Sequence, residues 1–263
     1  MLDHVNLGAV LFLDIETVSE KKAYEELDDN FKKLWKQKCR GILKRYDEPI
    51  SEEEAAATYL DKSAIYAEFG KIVCISVGFL VRSPDKSEWH VRLNSYADRD
   101  EKKLLIAFSE LVSKHYNNPN NRYFCGHNIR EFDMPYLCRR LLINQLPLPS
   151  TLDIAGKKPW ETKHFLDTLE MWKFGDYKSY TSLNLLAAVF GFPTPKDDID
   201  GSQVGRVFWE EDDLDRIAVY CEKDVLAVIH LLMKYKLMPL VTEDKIVSVS
   251  TFGMNAKEKD KVG

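Results

Sequence analysis

Near the start of the chain stands a continuous apolar run, Ala9-Val10-Leu11-Phe12-Leu13, that ends in Asp14-Ile15-Glu16. A run of strand length with no alternating polar positions fits a central β-strand covered on both faces, because such a strand has no solvent side to mark. Side chains alternate along a strand, so Asp14 and Glu16 project from one face at its end. Two carboxylates held side by side and partly out of water repel each other. Either one keeps a proton or a cation sits between them. A divalent ion would answer that need. A strand end turning into solvent would also account for the pair, so the spacing alone leaves both readings open.

The rest of the pattern builds around this strand. Residues 71 to 82 and 88 to 93 are β-branched or alternating runs joined by Ser83-Pro84-Asp85-Lys86, a turn composition, and predict an antiparallel meander. Helical periodicity follows over 100 to 116, a short strand over 122 to 125, a helix over 134 to 144 and a strand over 163 to 169. Two more helices are expected near 180 to 190 and 213 to 236. Strands followed by alternating strands and helices predict an α/β fold, a mixed sheet flanked by helices. Residues 20 to 69 break this order. They are charged, helical in pattern and carry a capping box at Ser51 and Glu54, so they read as a helical insertion after the first strand. From about residue 243 the chain is polar and lysine-rich, and a loose tail is expected there.

Two further motifs carry acids. In Gly126-His127-Asn128-Ile129-Arg130-Glu131-Phe132-Asp133-Met134-Pro135, the proline suits a first helical turn and puts Asp133 at or just before a helix start, where an acid also serves as an ordinary cap. In Tyr220-Cys221-Glu222-Lys223-Asp224, the apolar face formed by Ile217, Ala218, Cys221, Val225 and Val228 leaves Tyr220 and Asp224, one turn apart, at its edge. A border tyrosine beside a solvated aspartate would look the same. Asp167, at the end of an expected strand, and His127, beside the second motif, are further polar candidates.

Taken in order, these motifs closely resemble the DEDD superfamily of 3′–5′ exonucleases, tyrosine subclass, over about residues 9 to 235. Phe12-Leu13-Asp14-Ile15-Glu16-Thr17 matches the first motif, Asn128, Phe132 and Asp133 the second, and Tyr220 with Asp224 the third. Val219 stands where the histidine subclass has its histidine. Lys178-Ser179-Tyr180-Thr181-Ser182-Leu183-Asn184-Leu185-Leu186 adds a likeness to the proofreading domain of family B DNA polymerases and its stand-alone bacterial relatives. The resemblance implies a single ribonuclease-H-like domain over residues 1 to 242 with a mixed five-stranded sheet. It also implies two Mg²⁺ or Mn²⁺ ions held by Asp14, Glu16, Asp133 and Asp224, a water oriented by Tyr220, and contacts to the substrate from Thr17, Asn128 and Phe132. The implied substrate is the 3′ end of a single-stranded nucleic acid, DNA favoured over RNA, cut to nucleoside monophosphates. A non-catalytic nucleic-acid-binding module and a proofreading subunit serving a polymerase or repair partner in trans are the alternatives.

Composition narrows the classes that remain. With 45% hydrophobic residues and a net charge of −5, the chain can bury a core but shows no overall basic footprint. No apolar run is long enough to span a bilayer and no leader pattern opens the chain, so a cytoplasmic protein is expected. Five scattered cysteines give no disulfide framework. No phosphate-binding glycine loop is present. The strongest cationic bias, Lys32, Lys33, Lys36, Lys38, Arg40, Lys44 and Arg45 around Trp35, is expected to form a solvated helix face or, with Trp35 stacking on a base, to hold the substrate strand.

Overall fold

The computed structural model describes residues 2–85, 87–176, 180–193 and 198–250. Lys86 of the expected turn, Lys178 and Ser179, and residues 251–263 of the expected tail lie outside them.

The apolar run forms the first half of β1 (Val10–Ser19). This strand pairs antiparallel with β2 (Gly70–Arg82) on one side and parallel with β4 (Tyr123–Gly126) on the other. β2 continues antiparallel into β3 (Trp89–Ala97), and β4 pairs parallel with β5 (Phe165–Asp167). Among the described residues the sheet has six strands, in the order β5-β4-β1-β2-β3-β6. The sixth corrects the expectation of five: β6 (Ile246–Ser248) adds parallel to β3, in a stretch whose composition suggests a tail. Its anchor is polar, which is why an apolar pattern does not reveal it. Glu222 accepts hydrogen bonds from Ser95, Ser248 and Ser250, tying the last strand to a helix on the sheet.

Period-two alternation divides β1 between two cores. Leu11, Leu13 and Ile15 pack with Leu105 and Phe108 of α3 (Glu101–His115) and with Met134 and Leu137 of α4 (Asp133–Ile143). Val10 and Phe12 face the other way, against Val225, Val228 and Ile229 of α8 (Leu214–Tyr235). Asp14 and Glu16 continue the row on the α8 side. That helix lies close because β2 carries Gly78, where a Cβ would stand 2.8 Å from Val225 Cγ1 and 3.0 Å from Ile229 Cδ1.

Residues 20 to 69 are helical, as expected, with α1 (Asp29–Leu43) and α2 (Glu52–Lys62). Asp28 caps α1, and the capping box at Ser51 and Glu54 opens α2. The two helices enclose their own cluster of Tyr24, Trp35, Cys39, Ala55, Tyr59 and Phe69. A buried ion pair holds this segment to the sheet layer. Arg140 of α4 binds Glu101 of α3 (Nε to Oε1, 2.8 Å) and donates to the Ala67 carbonyl at 2.8 Å and to Glu20 at 3.2 Å. The remaining α-helices among the described residues are α5 (Thr168–Lys173), α6 (Leu183–Phe190) and the short α7 (Val204–Arg206), which continues as a π turn over Val207–Glu211. Among the described residues no helix is long and apolar enough to cross a membrane.

Candidate active site

Three elements deliver the four acids to one place. Asp14 and Glu16 come from the middle of β1, which runs on to Ser19 past the acids where the sequence pattern places the strand end, Asp133 is the first residue of α4, and Asp224 lies in the middle of α8. Asp133 is 3% exposed and faces inward, where its Oδ1 accepts the Ile15 backbone N–H at 3.2 Å, between the two β1 acids in sequence. It is therefore more than a helix cap. The bond pins α4 to the middle of the strand.

The acids feel one another strongly. Burial, then the charges of Asp224, Asp133 and Glu16, hold the Asp14 carboxyl well above the usual carboxylate range. Burial and Asp224 do the same to Glu16. Burial pushes Asp133 up to about 7, against the lowering effect of the backbone N–H groups it accepts from. Each shift has the same physical origin, carboxylates removed from water and crowded against one another. On Tyr220, burial and the neighbouring Asp224, Glu16 and Asp14 charges drive the phenol far above its ordinary value, and its hydroxyl donates to Asp224. It stays protonated at any physiological pH.

Cys221 joins this group although its residue type gave no reason to select it. Its Sγ lies 3.4 Å from the Asp14 carbonyl oxygen and 3.5 Å from Asp14 Oδ2, and ligand atoms of Asp14, Glu16 and Cys221 fall within 4.8 Å of one another. One turn of α8 thus presents Tyr220, Cys221 and Asp224 to the acids of β1. Tyr180 is the second addition. Its ring packs edge-on against His127 with centroids 6.2 Å apart, and burial, then the charges of Asp133, Asp14, Asp167 and Asp224, raise its phenol. The signal for it was in the sequence, inside the 178–186 motif.

Asp167 is a scaffold residue. Its carboxylate accepts the backbone N–H groups of Asn128, Arg130, Leu169 and Glu170, capping α5 and fixing the turn that carries the second motif. Asn128 sits in that turn at φ 66°, in the left-handed region that asparagine tolerates. His127 bridges the Thr168 hydroxyl at 3.0 Å and the Thr181 carbonyl at 2.9 Å, and burial holds its imidazole below the ordinary value. Thr17 interacts with Tyr136, and both Thr17 and Phe132 line a cleft beside Glu16.

The basic window does not reach that cleft. Trp35 is fully buried, its Nε1 donating to the Ala55 carbonyl at 2.9 Å, so it offers no face for base stacking. An amphipathic helix needed an apolar anchor, and the tryptophan is it. Lys36 pairs with Glu52, and Arg45 with Glu54 and Glu48, so acids in and just before α2 engage these two cations of the window.

The six-stranded sheet with helices on both faces is ribonuclease-H-like, and it is similar to a family B DNA polymerase from the hyperthermophilic archaeon Pyrobaculum calidifontis, with a TM-score of 0.53 and 15% sequence identity. That match covers 87% of this chain but 24% of the polymerase. Residues 64–251 match the family described as a predicted 3′–5′ exonuclease related to the exonuclease domain of PolB, and the chain belongs to that family. The matched stretch includes Asp133, Tyr220 and Asp224 and begins after Asp14 and Glu16. Comparison with curated proteins gives no match.

Proposed function

We propose that the chain is a metal-dependent 3′–5′ exonuclease that removes nucleoside monophosphates from the 3′ end of single-stranded nucleic acid, DNA in preference to RNA. The observation that carries this reading is the convergence of carboxylates on the middle of a buried strand: Asp14 and Glu16 offer ligand atoms within 4.8 Å of one another, Asp133 accepts the Ile15 N–H between them at 3.2 Å, and Asp224 follows Tyr220 by one turn of α8. Their donor set is hard oxygen, which suits Mg²⁺ or Mn²⁺. Asp14, Glu16 and Asp224, with Asp133 in support, would hold two such ions. When bound, these would lower the pKa of an attacking water and neutralise charge on the leaving oxygen.

The protein's own groups have separate tasks. Tyr220, kept protonated, can orient a water through its hydroxyl but cannot act as a phenolate base. Cys221 steadies the Asp14 carboxylate. Asn128, held in its turn by Asp167, and Phe132 and Thr17, beside Glu16, are suited to grip the terminal nucleotide. A polymerase or repair enzyme working on the same 3′ end is the class of partner this reading implies.

Incubation with 5′-labelled single-stranded DNA and RNA, with and without Mn²⁺, tests it. The expected product is a ladder shortened one nucleotide at a time from the 3′ end, faster on DNA and absent in chelator. Internal fragments as the first products would sink the exonuclease reading.

A further inference from the structure

A cleft of about 930 Å³ opens directly beside the acid cluster, sharing Glu16 and Phe132 with it. Its floor is the end of β1. One wall comes from the inserted segment, at the end of α2 and just after it, where Leu60 is 78% exposed and Ile65 is 50% exposed. The facing wall is the end of α7 and the π turn, carrying Trp209, whose Nε1 donates to Ser19 at 3.1 Å and so holds the ring in place. Two bare aliphatic side chains opposite an indole are a costly arrangement on a solvated surface.

The rim charges do not select a polyanion by attraction alone. Lys22, Lys62 and Arg206 stand among Glu26, Asp61 and Glu210. Lys62 lies 3.1 Å from Asp61, and Arg206 lies 3.3 Å from Glu211. Contact with apolar faces must therefore carry much of the affinity. In nucleic acid such faces are those of bases, and they are available only where the bases are unpaired and unstacked. A volume of this size falls in the range of ligand clefts and exceeds what one terminal nucleotide beside Glu16 requires.

We propose that this cleft receives the unpaired bases next to the 3′-terminal nucleotide, and that Leu60 and Ile65 are specificity-determining residues favouring single-stranded over paired ends. The assignment rests on the exonuclease reading for the polarity of the strand. Leu60 precedes the stretch that the family model matches.

The test is binding, by fluorescence anisotropy in Ca²⁺ buffer, of a labelled short oligothymidylate and of a blunt-ended DNA hairpin to the parent and to the Leu60→Ser/Ile65→Ser variant. Both positions are exposed, so the fold should tolerate the change. Stacking-scale contacts predict a loss of roughly tenfold in affinity for the single strand, with the hairpin unchanged. Hydrolysis of the p-nitrophenyl ester of thymidine 5′-monophosphate, which needs only the terminal site, should keep its parent rate. An unchanged single-strand affinity, or an equal loss on both ligands, overturns the proposal. A parent that binds the strand through this cleft yet cleaves neither strand nor ester would sink the exonuclease reading and leave the cleft assignment standing.

Discussion

The Tyr220 hydroxyl is the clearest case of a single atom with a separable task. It donates to Asp224 from a buried position among three acids, while its ring packs with Val18 and Ile217. Phenylalanine keeps the packing and loses the oxygen. Tyr220→Phe is expected to lower turnover about 10²-fold, the usual cost of removing a positioned proton-handling or orienting group, with KM for single-stranded DNA near the parent value. Steady-state kinetics across pH checks this, and parent-like turnover would reduce Tyr220 to packing. Asp133 allows a second prediction. The unfolded chain releases its proton near 3.8, whereas the folded chain holds it to about 7, so this part of the stability is complete at low pH and is lost as pH rises through about 7. His127 works in the opposite sense, since its depressed imidazole contributes stability that is lost as pH falls. Melting temperatures in chelator should thus fall less steeply with rising pH for Asp133→Asn than for the parent, with the His127 contribution common to both. Identical pH slopes would show that Asp133 carries no such proton.

Between elements, the contact with most at stake is the Glu101–Arg140 pair, 6% and 5% exposed, which joins α3, α4 and the carbonyl of Ala67 in the insertion. Glu101 also accepts the Ile72 backbone N–H at 2.7 Å, so it ties the start of β2 as well. Removing one partner strands a buried charge. Glu101→Ala is expected to cost about 3–5 kcal/mol in chemical denaturation; a loss below about 1 kcal/mol, the value of an exposed pair, would show the site to be wetter than its burial implies. At this scale the sequence was legible wherever apolar periodicity set the element. β1, β2, α3, α4 and α8 lie where their patterns predict, and the two-residue spacing of Asp14 and Glu16 anticipates their common face. Elements fixed by polar contacts were not. β6 is held through serines on Glu222, and α5 begins on a cap from Asp167 that also secures the second motif. No local pattern announces either contact.

Across the whole molecule, the positive charge of α1 and the acid cluster on β1 belong to separate regions, which sequence proximity had suggested were one. Trp35 turns inward to anchor the insertion, and the surface that the insertion lends to the cleft beside Glu16 is aliphatic, through Leu60 and Ile65. The sheet accounts for the site itself. It brings the middle of a strand, a helix start and a helix middle together from residues more than two hundred positions apart, and the resulting crowd of carboxylates is stable only with protons or cations among them. The most direct test is the turnover of end-labelled single-stranded DNA by Asp14→Ala against the parent in Mn²⁺, with the melting temperature of each in chelator. Loss of Asp14 is expected to lower turnover by at least about 10²-fold without lowering the melting temperature, because one repelling charge has been removed. Parent-level turnover in the variant, or in the parent with excess chelator, would contradict a metal-dependent site built on these four acids.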